Sequence, residues 1–172
     1  MTTLELLFNE TPDADLQDLS QVLHACVQDD ASIGFITPFS LQEAEAFWRR
    51  LLPQFAAGER FLLVARQQEK IVGTVQLVVS MPDNGQHRAE VAKLMVHPQF
   101  RRQGIAEKLM HQIELLARSQ EKTLLVLDTR SDDSAEPLYQ KLGYELSGRI
   151  PQYARSTRGA MDSTSVMYKL LK

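Results

Sequence analysis

The chain has 172 residues, 44% hydrophobic and 24% charged, with a formal net charge of −3 at pH 7. That length suits a single domain, 1–172, with a real core, and the balance excludes a disordered chain and global attraction to nucleic acid. The single cysteine excludes an internal disulfide, no Cys/His set has zinc-ligand spacing, and there is neither a twenty-residue apolar run nor a signal-peptide pattern, so a cytoplasmic, metal-free protein with no membrane partner is expected.

Met1 to Phe8 reads as a first short strand. Thr11 is placed to cap a helix with Pro12 at its first position, and Asp13 and Asp15 suit the positive helix end. Leu16, Leu19, Val22, Leu23, Cys26 and Val27 recur at helical spacing, so Cys26 reads as a buried structural thiol. Ala31 to Phe39 reads as a loop whose Ile33, Phe35, Ile36 and Phe39 either pack on the core or line a substrate pocket. Ser40 and Glu43 form a capping-box pattern opening a helix that carries Leu41, Ala44, Phe47, Trp48, Leu51 and Leu52 inward. Pro53 is expected to kink that helix or end it, with Gly58 as a stop.

Phe61 to Arg66 and Ile71 to Ser80 read as two hairpin-linked strands, followed by a Pro82-Asp83-Asn84-Gly85 turn. Arg88 to Val96 is the next strand, stopped at Pro98. Its alternation puts Glu90 on one face with Ala92 and Leu94. A basic turn, Arg101-Arg102-Gln103-Gly104, leads into a helix with Ala106, Leu109, Met110, Ile113, Leu116 and Ala117 on one face. Leu124 to Asp128 is a short apolar strand, so the helix before it implies a parallel crossover. Ala135 to Leu142 is a helix ended by Gly143. Tyr144 to Ile150 and Ser165 to Leu171 are strands around a polar loop, Gln152 to Thr164, that carries Tyr153, Arg155 and Arg158.

The turn before the third long helix is where chemistry can sit. The first amides of a helix have no partner inside it, and the dipole favours an anion there. Gly104 lets a phosphate approach the backbone, and Arg101 and Arg102 add positive charge. The four histidines, His24, His87, His97 and His111, are isolated.

Arg101-Arg102-Gln103-Gly104-Ile105-Ala106, between a strand ending in Val-His-Pro and a long apolar-faced helix, resembles the acetyl-coenzyme A motif of the GNAT superfamily of N-acetyltransferases. Ala135, Leu138, Tyr139, Gly143 and Tyr144 resemble its second motif, with Asp132 where an asparagine is usual. Ala31–Phe35, Arg88–Val91, Lys93–Val96, Leu127–Thr129 and Pro151–Tyr153 look like the tabtoxin-resistance acetyltransferases, which act on an amino-acid-like toxin. The resemblance implies an α/β fold: a central, mostly antiparallel sheet with one parallel strand pair splayed for the coenzyme, and helices on both faces.

It implies an acetyl-CoA-dependent N-acetyltransferase acting on the primary amine of a small molecule, by direct transfer in a ternary complex. Leu94, Met95 and Val96 would hold the pantetheine arm, and Gln103, Gly104, Ile105 and Ala106 the pyrophosphate, with Arg101 and Arg102 touching phosphate or solvent. Tyr139 stands where the superfamily keeps its general acid. Glu90 and Asp128 are the two candidates to take the amine's proton. A peptide N-acetyltransferase and a non-catalytic CoA-binding module remain as alternatives, and a homodimer is left open.

Overall fold

The computed structural model describes residues 1–7 and 11–171. In chain order it has β1 (Thr3–Leu7), α1 (Asp13–Gln28), α2 (Leu41–Ala56), β2 (Arg60–Gln67), β3 (Lys70–Val78), β4 (Arg88–Val96), α3 (Ile105–Ser119), β5 (Leu124–Arg130), α4 (Ala135–Lys141), β6 (Glu145–Arg155) and β7 (Met161–Leu170). Phe8, expected at the end of the first strand, lies outside the described residues. The strands form one sheet in the order β1-β2-β3-β4-β5-β7-β6. Every neighbouring pair is antiparallel except β4 and β5. The expected mixed sheet, with one parallel pair made by the α3 crossover, is therefore what forms.

Sheet strands covered on both sides need apolar residues at every position, and β2 shows why. Its Leu62 and Val64 join a cluster with α1 and α2, while Leu63 and Ala65 join a second cluster with α3 and α4. Trp48 anchors the first cluster at 0% exposure, and its Nε1 donates to the Leu19 carbonyl at 3.0 Å, which satisfies the one polar atom the ring buries. In the second cluster Leu109, Met110, Ile113 and Ala117 of the predicted α3 face are buried, joined by Ile105, while Ala106 and Leu116 are partly buried against it.

Three boundaries differ from expectation. Pro12 is itself the N-cap of α1, which starts at Asp13. At Pro53, where a kink or an end is expected, α2 does not end but runs through to Ala56, next to the expected stop at Gly58. The lost amide bond there is on the solvated side, near exposed Arg49, while Leu51 and Phe55 stay buried on the other. Leu41 in turn sits at the first helical position, 49% exposed rather than inward.

The third difference is at the sheet edge. Residues 152–155 and 161–164, expected as loop, extend β6 and β7, with Ala154 opposite Asp162 and Arg155 opposite Met161. As an edge strand with both faces near solvent, β6 tolerates a polar sequence, so its pairing is set by β7 rather than by its own pattern.

Candidate active site

The parallel pairing of β4 and β5 covers only Arg88–Glu90 against Leu124–Val126. Beyond it the strands diverge, and the backbone groups on their facing edges lose their ladder partners. The divergence opens a cleft of about 940 Å³ that runs from the start of α3 to the loop between α1 and α2. Ile33, Phe35 and Phe39 of that loop pack against the α1–α2 core, whereas Ile36 is 55% exposed. Of the loop's apolar residues Ile33 also lines the cleft, beside Ser32 and Gly34, so packing on the core is what most of its apolar content does. Thr37 ties it down: its amide and hydroxyl both donate to the Thr157 carbonyl, at 2.9 and 2.8 Å.

At the other end is the basic turn. Gly104 is the N-cap of α3 with φ +72°, and a Cβ there would meet nothing within 4 Å, so the helix end opens onto free space. Among the described residues, the amides of Gln103, Gly104, Ile105 and Ala106 have no backbone acceptor. Glu107, the only acidic residue of the first turn, is neutralised by Lys141 at 2.8 Å, which keeps its carboxylate acidic and its charge from opposing an anion. Open amides beside a left-handed glycine, at the mouth of two splayed strands, fit a diphosphate with an extended amide-bearing arm.

Of the two arginines, Arg102 is exposed on the cleft with φ +62°. Arg101 is committed elsewhere. Its Nε donates to the Val96 carbonyl at 3.1 Å and its Nη1 pairs with Asp29, so it fastens the end of β4 to the end of α1. Cys26 Sγ donates to the same carbonyl at 3.4 Å. Burial pushes that thiol's pKa up, in keeping with a structural role.

Glu90, Asp128 and Tyr139 all line this one cleft, although they are far apart in sequence. Glu90 has no ion pair within 4 Å among the described residues. Asp128 accepts from Thr164 Oγ1 at 3.2 Å. Tyr139 packs its ring edge-on to Tyr144, with centroids 5.9 Å apart. Its hydroxyl has no hydrogen-bond partner among the described residues. Burial, then the nearby carboxylates of Asp128 and Asp133, raise its pKa well above the ordinary phenol value, so it is a neutral donor at any working pH.

The simple alternation expected along β4 fails at Lys93. The register with β3 passes from Gln76–Ala92 to Thr74–Met95, so Val75 faces two residues, Lys93 and Leu94. Lys93 takes φ +52° in this bulge. Glu90 and Ala92 face the α1–α2 side, but Leu94 turns to pack against the α3 cluster.

Asp132 has φ +62°, and its carboxylate pairs with Arg149 at 3.0 Å and does not line the cleft. What holds this turn is Glu136, 4% exposed, which accepts from the Asp132 amide at 3.0 Å, Ser165 Oγ at 3.1 Å and Arg149 Nη2 at 3.0 Å. The Asp132 amide first, with Arg149 and Ser165, holds the Glu136 carboxyl below its ordinary value. A depressed folded pKa contributes stability above the unfolded pKa, about 4.3 for glutamate, that disappears as pH falls through the folded value. Glu136→Gln should therefore cost about 2 kcal/mol at pH 7, on the scale of hydrogen bonds to a charged group. The gap to wild type should begin to narrow as pH falls below the ordinary glutamate value of about 4.3 and close in stronger acid, as read by urea melts across that range.

Sequence reasoning passed over Lys93, Arg60 and Arg130. The signal was there for Lys93, a lone charge inside an apolar strand. Arg130 reaches Asp133 at 3.1 Å, Asp30 at 3.3 Å and Asp162 at 3.6 Å, which joins the α1–α2 loop to β5 and β7. Nothing local in the sequence marks that cluster.

A family model described as an acetyltransferase (GNAT) domain matches residues 35–156. Human N-acetyltransferase 8 is 38% identical over 88 residues, 50% of this chain and 39% of that protein, so the match spans well under half of that relative. An uncharacterized N-acetyltransferase of Azospirillum brasilense is 30% identical over 125 residues, 72% of this chain and 73% of its own. Among solved structures, an N-acetyltransferase from Staphylococcus aureus Mu50 superposes with a TM-score of 0.81 at 16% identity, covering 100% of this chain and 99% of its own. The Salmonella typhimurium protein yncA, solved with its cofactor acetyl-CoA, gives 0.76 at 19% identity, covering 98% and 94%. At those identities the two structures speak for the fold, and the family model and the bacterial relative carry the rest: with its splayed strand pair and open helix end, the chain belongs to the GNAT acetyltransferase family, whose cosubstrate is acetyl-CoA.

Proposed function

We propose that the chain is one N-acetyltransferase unit that moves acetyl from acetyl-CoA to the primary amine of a small, amino-acid-like molecule, by direct transfer in a ternary complex. The observation that carries this is the pairing of the unpartnered amides at Gly104 with Glu90, Asp128 and Tyr139 along a single cleft. A cleft roofed by a tethered loop favours a small acceptor over a protein chain. The likeness to the tabtoxin-resistance enzymes supports the same acceptor class.

Acetyl-CoA supplies an activated thioester carbonyl; the rest falls to the protein. The amides of Gln103 to Ala106 hold the diphosphate, with Arg102 beside it. The edge of β4 turned away from β3 at Leu94, Met95 and Val96 would bond the pantetheine arm and so position the thioester, at Val96 through the amide because Arg101 and Cys26 take the carbonyl. Glu90 and Asp128 receive the ammonium, and one of them takes its proton, directly or through water, as the new N–C bond forms. As the C–S bond breaks, Tyr139 Oη donates to the departing sulfur. Its raised pKa makes it a weak acid, so much of its effect is hydrogen-bond stabilisation of the developing thiolate.

The test is release of free thiol from acetyl-CoA by the purified protein across a panel of amino acids and simple amines. Acceptor-dependent release well above hydrolysis is expected, with mass spectrometry placing 42 Da (about one acetyl) on the acceptor amine. Tight CoA binding without turnover on any acceptor would instead leave a coenzyme-binding module.

A further inference from the structure

Resting on that reading, we propose that Lys93 is the specificity residue of the acceptor site, an ammonium that takes the carboxylate of a zwitterionic acceptor while Glu90 and Asp128 take its amine.

The side chain is aimed by backbone, not by chance of rotamer. In a regular strand, position 93 would face the α3 cluster opposite to Glu90 and Ala92. The β4 bulge, with Lys93 at φ +52°, turns it to the α1–α2 side instead. There Lys93 Nζ lies 5.9 Å from the Phe47 ring centroid and 3.8 Å from where a Cβ on Gly34 would stand. It is under the loop that roofs the cleft, and it lines the cleft. A left-handed lysine is itself unfavourable, on the order of 1 kcal/mol, and strained residues concentrate at functional positions.

Four charges share that face with no ion pair among the described residues. Arg60, Val78, Glu90 and Val126 stand in one register row across four strands, so their side chains project to one side, and Asp128 is two residues on from Val126. Among the described residues Arg60 donates only to neutral oxygens, Gln54 Oε1 at 3.0 Å and Gln76 Oε1 at 2.6 Å. Gln76 is 0% exposed and its Nε2 has no acceptor among the described residues. Neither Lys93 nor Arg60 has a carboxylate within 4 Å, and neither Glu90 nor Asp128 has a cation within 4 Å, among the described residues. Burial and then Arg60 lower the Lys93 pKa, while Asp128 and Glu90 raise it, which places all four within electrostatic reach of one another.

Partly buried charges normally pair. Two cations and two carboxylates kept on one face, close but apart, are complementary to a ligand that carries both signs. The carboxylates are the only groups of the four that can receive an ammonium, so the anion falls to the cations. Of these, Lys93 lines the cleft, whereas Arg60 stands behind it and adds field. Removing Lys93 also removes a like charge near the acceptor ammonium, so the effect must be read on matched acceptors.

The experiment compares pairs that differ by one carboxylate: L-lysine with cadaverine, L-ornithine with putrescine, L-2,4-diaminobutyrate with 1,3-diaminopropane, and L-methionine with its amide. Wild type should prefer the carboxylate member of its best pair at least tenfold in kcat/KM. Lys93→Met should cut that preference at least tenfold, through KM for the acid, and Lys93→Arg should restore part of it. Calorimetry with CoA should give the same affinity for all three proteins, which separates acceptor recognition from misfolding. A flat or reversed preference in wild type overturns the assignment without any variant. So does a Lys93→Met protein that binds CoA and loses the same factor on both members of a pair. No turnover by wild type on any member overturns the transfer reading itself, and this assignment with it.

Discussion

Gly104→Glu should lower affinity for CoA by about 10²–10³-fold, some 3–4 kcal/mol, while leaving the protein folded. The carboxylate would stand in the open space beside the unpartnered amides of Gln103 to Ala106, where a diphosphate is proposed to bind. It would satisfy those donors itself and repel the ligand. Its effect on stability has the opposite logic. A side chain at φ +72° is strained by about 1–2 kcal/mol, and a negative charge at a helix start returns about 0.3–1 kcal/mol. The net is a fall in Tm of a few degrees at most, about 2–4 °C for each kcal/mol in a chain of this size. Gly104→Ala carries the strain without the charge, so its affinity should fall by about tenfold or less. Isothermal calorimetry beside thermal melts reads both quantities. A Gly104→Glu protein that binds CoA within threefold of wild type would move the anion site away from α3.

Tyr139→Phe should reduce kcat by about 100-fold, at the lower end of general acid effects because a phenol with a raised pKa is a weak acid. The KM for acetyl-CoA should stay within about twofold, since the ring that packs on Tyr144 is kept and the hydroxyl is proposed to meet the sulfur only as charge develops. Stability should hardly change, because the hydroxyl makes no hydrogen bond to the described residues and so none is lost. The raised pKa also sets the pH profile. The phenol stays protonated through the ordinary tyrosine value of about 10, so wild-type kcat should show no fall near pH 10 that Tyr139→Phe abolishes. Steady-state kinetics of the two proteins between about pH 6 and 10 measure all of this; a wild-type rate in Tyr139→Phe would leave the ring as packing alone.

Much of this site was legible along the chain because its parts are local. A strand end, a glycine and a helix start lie within a dozen residues, and the chemistry of unpartnered helix amides follows from that order alone. The capping box of Ser40 and Glu43 is local in the same sense, and both of its bonds form, at 3.2 and 2.7 Å. The seam of α3 follows from spacing, since burying one face is what makes a helix of that length stable. Local rules ran out where they met a non-local partner. Pro53 reads as either a kink or an end, and the buried residues around it carry α2 through to Ala56. The polar residues after Ile150 read as loop, yet β7 pairs with them.

The amino-acid sequence by itself determined most of the elements, the one parallel crossover and the glycine turn that opens α3, because periodicity, capping and turn chemistry act over a few neighbouring residues, while Tyr139, Glu90 and Asp128 were singled out through the resemblance to the GNAT family. Only the tertiary structure decided which charges meet. Arg101 was drawn to Asp29 and the Val96 carbonyl, Asp132 to Arg149, and Arg130 to three carboxylates from three separate segments. Lys93 was turned from one face of the sheet to the other by a single bulge against β3. Charge pairing depends on distances of a few ångströms between segments far apart in the chain, and a one-residue change of strand register moves a side chain across the sheet.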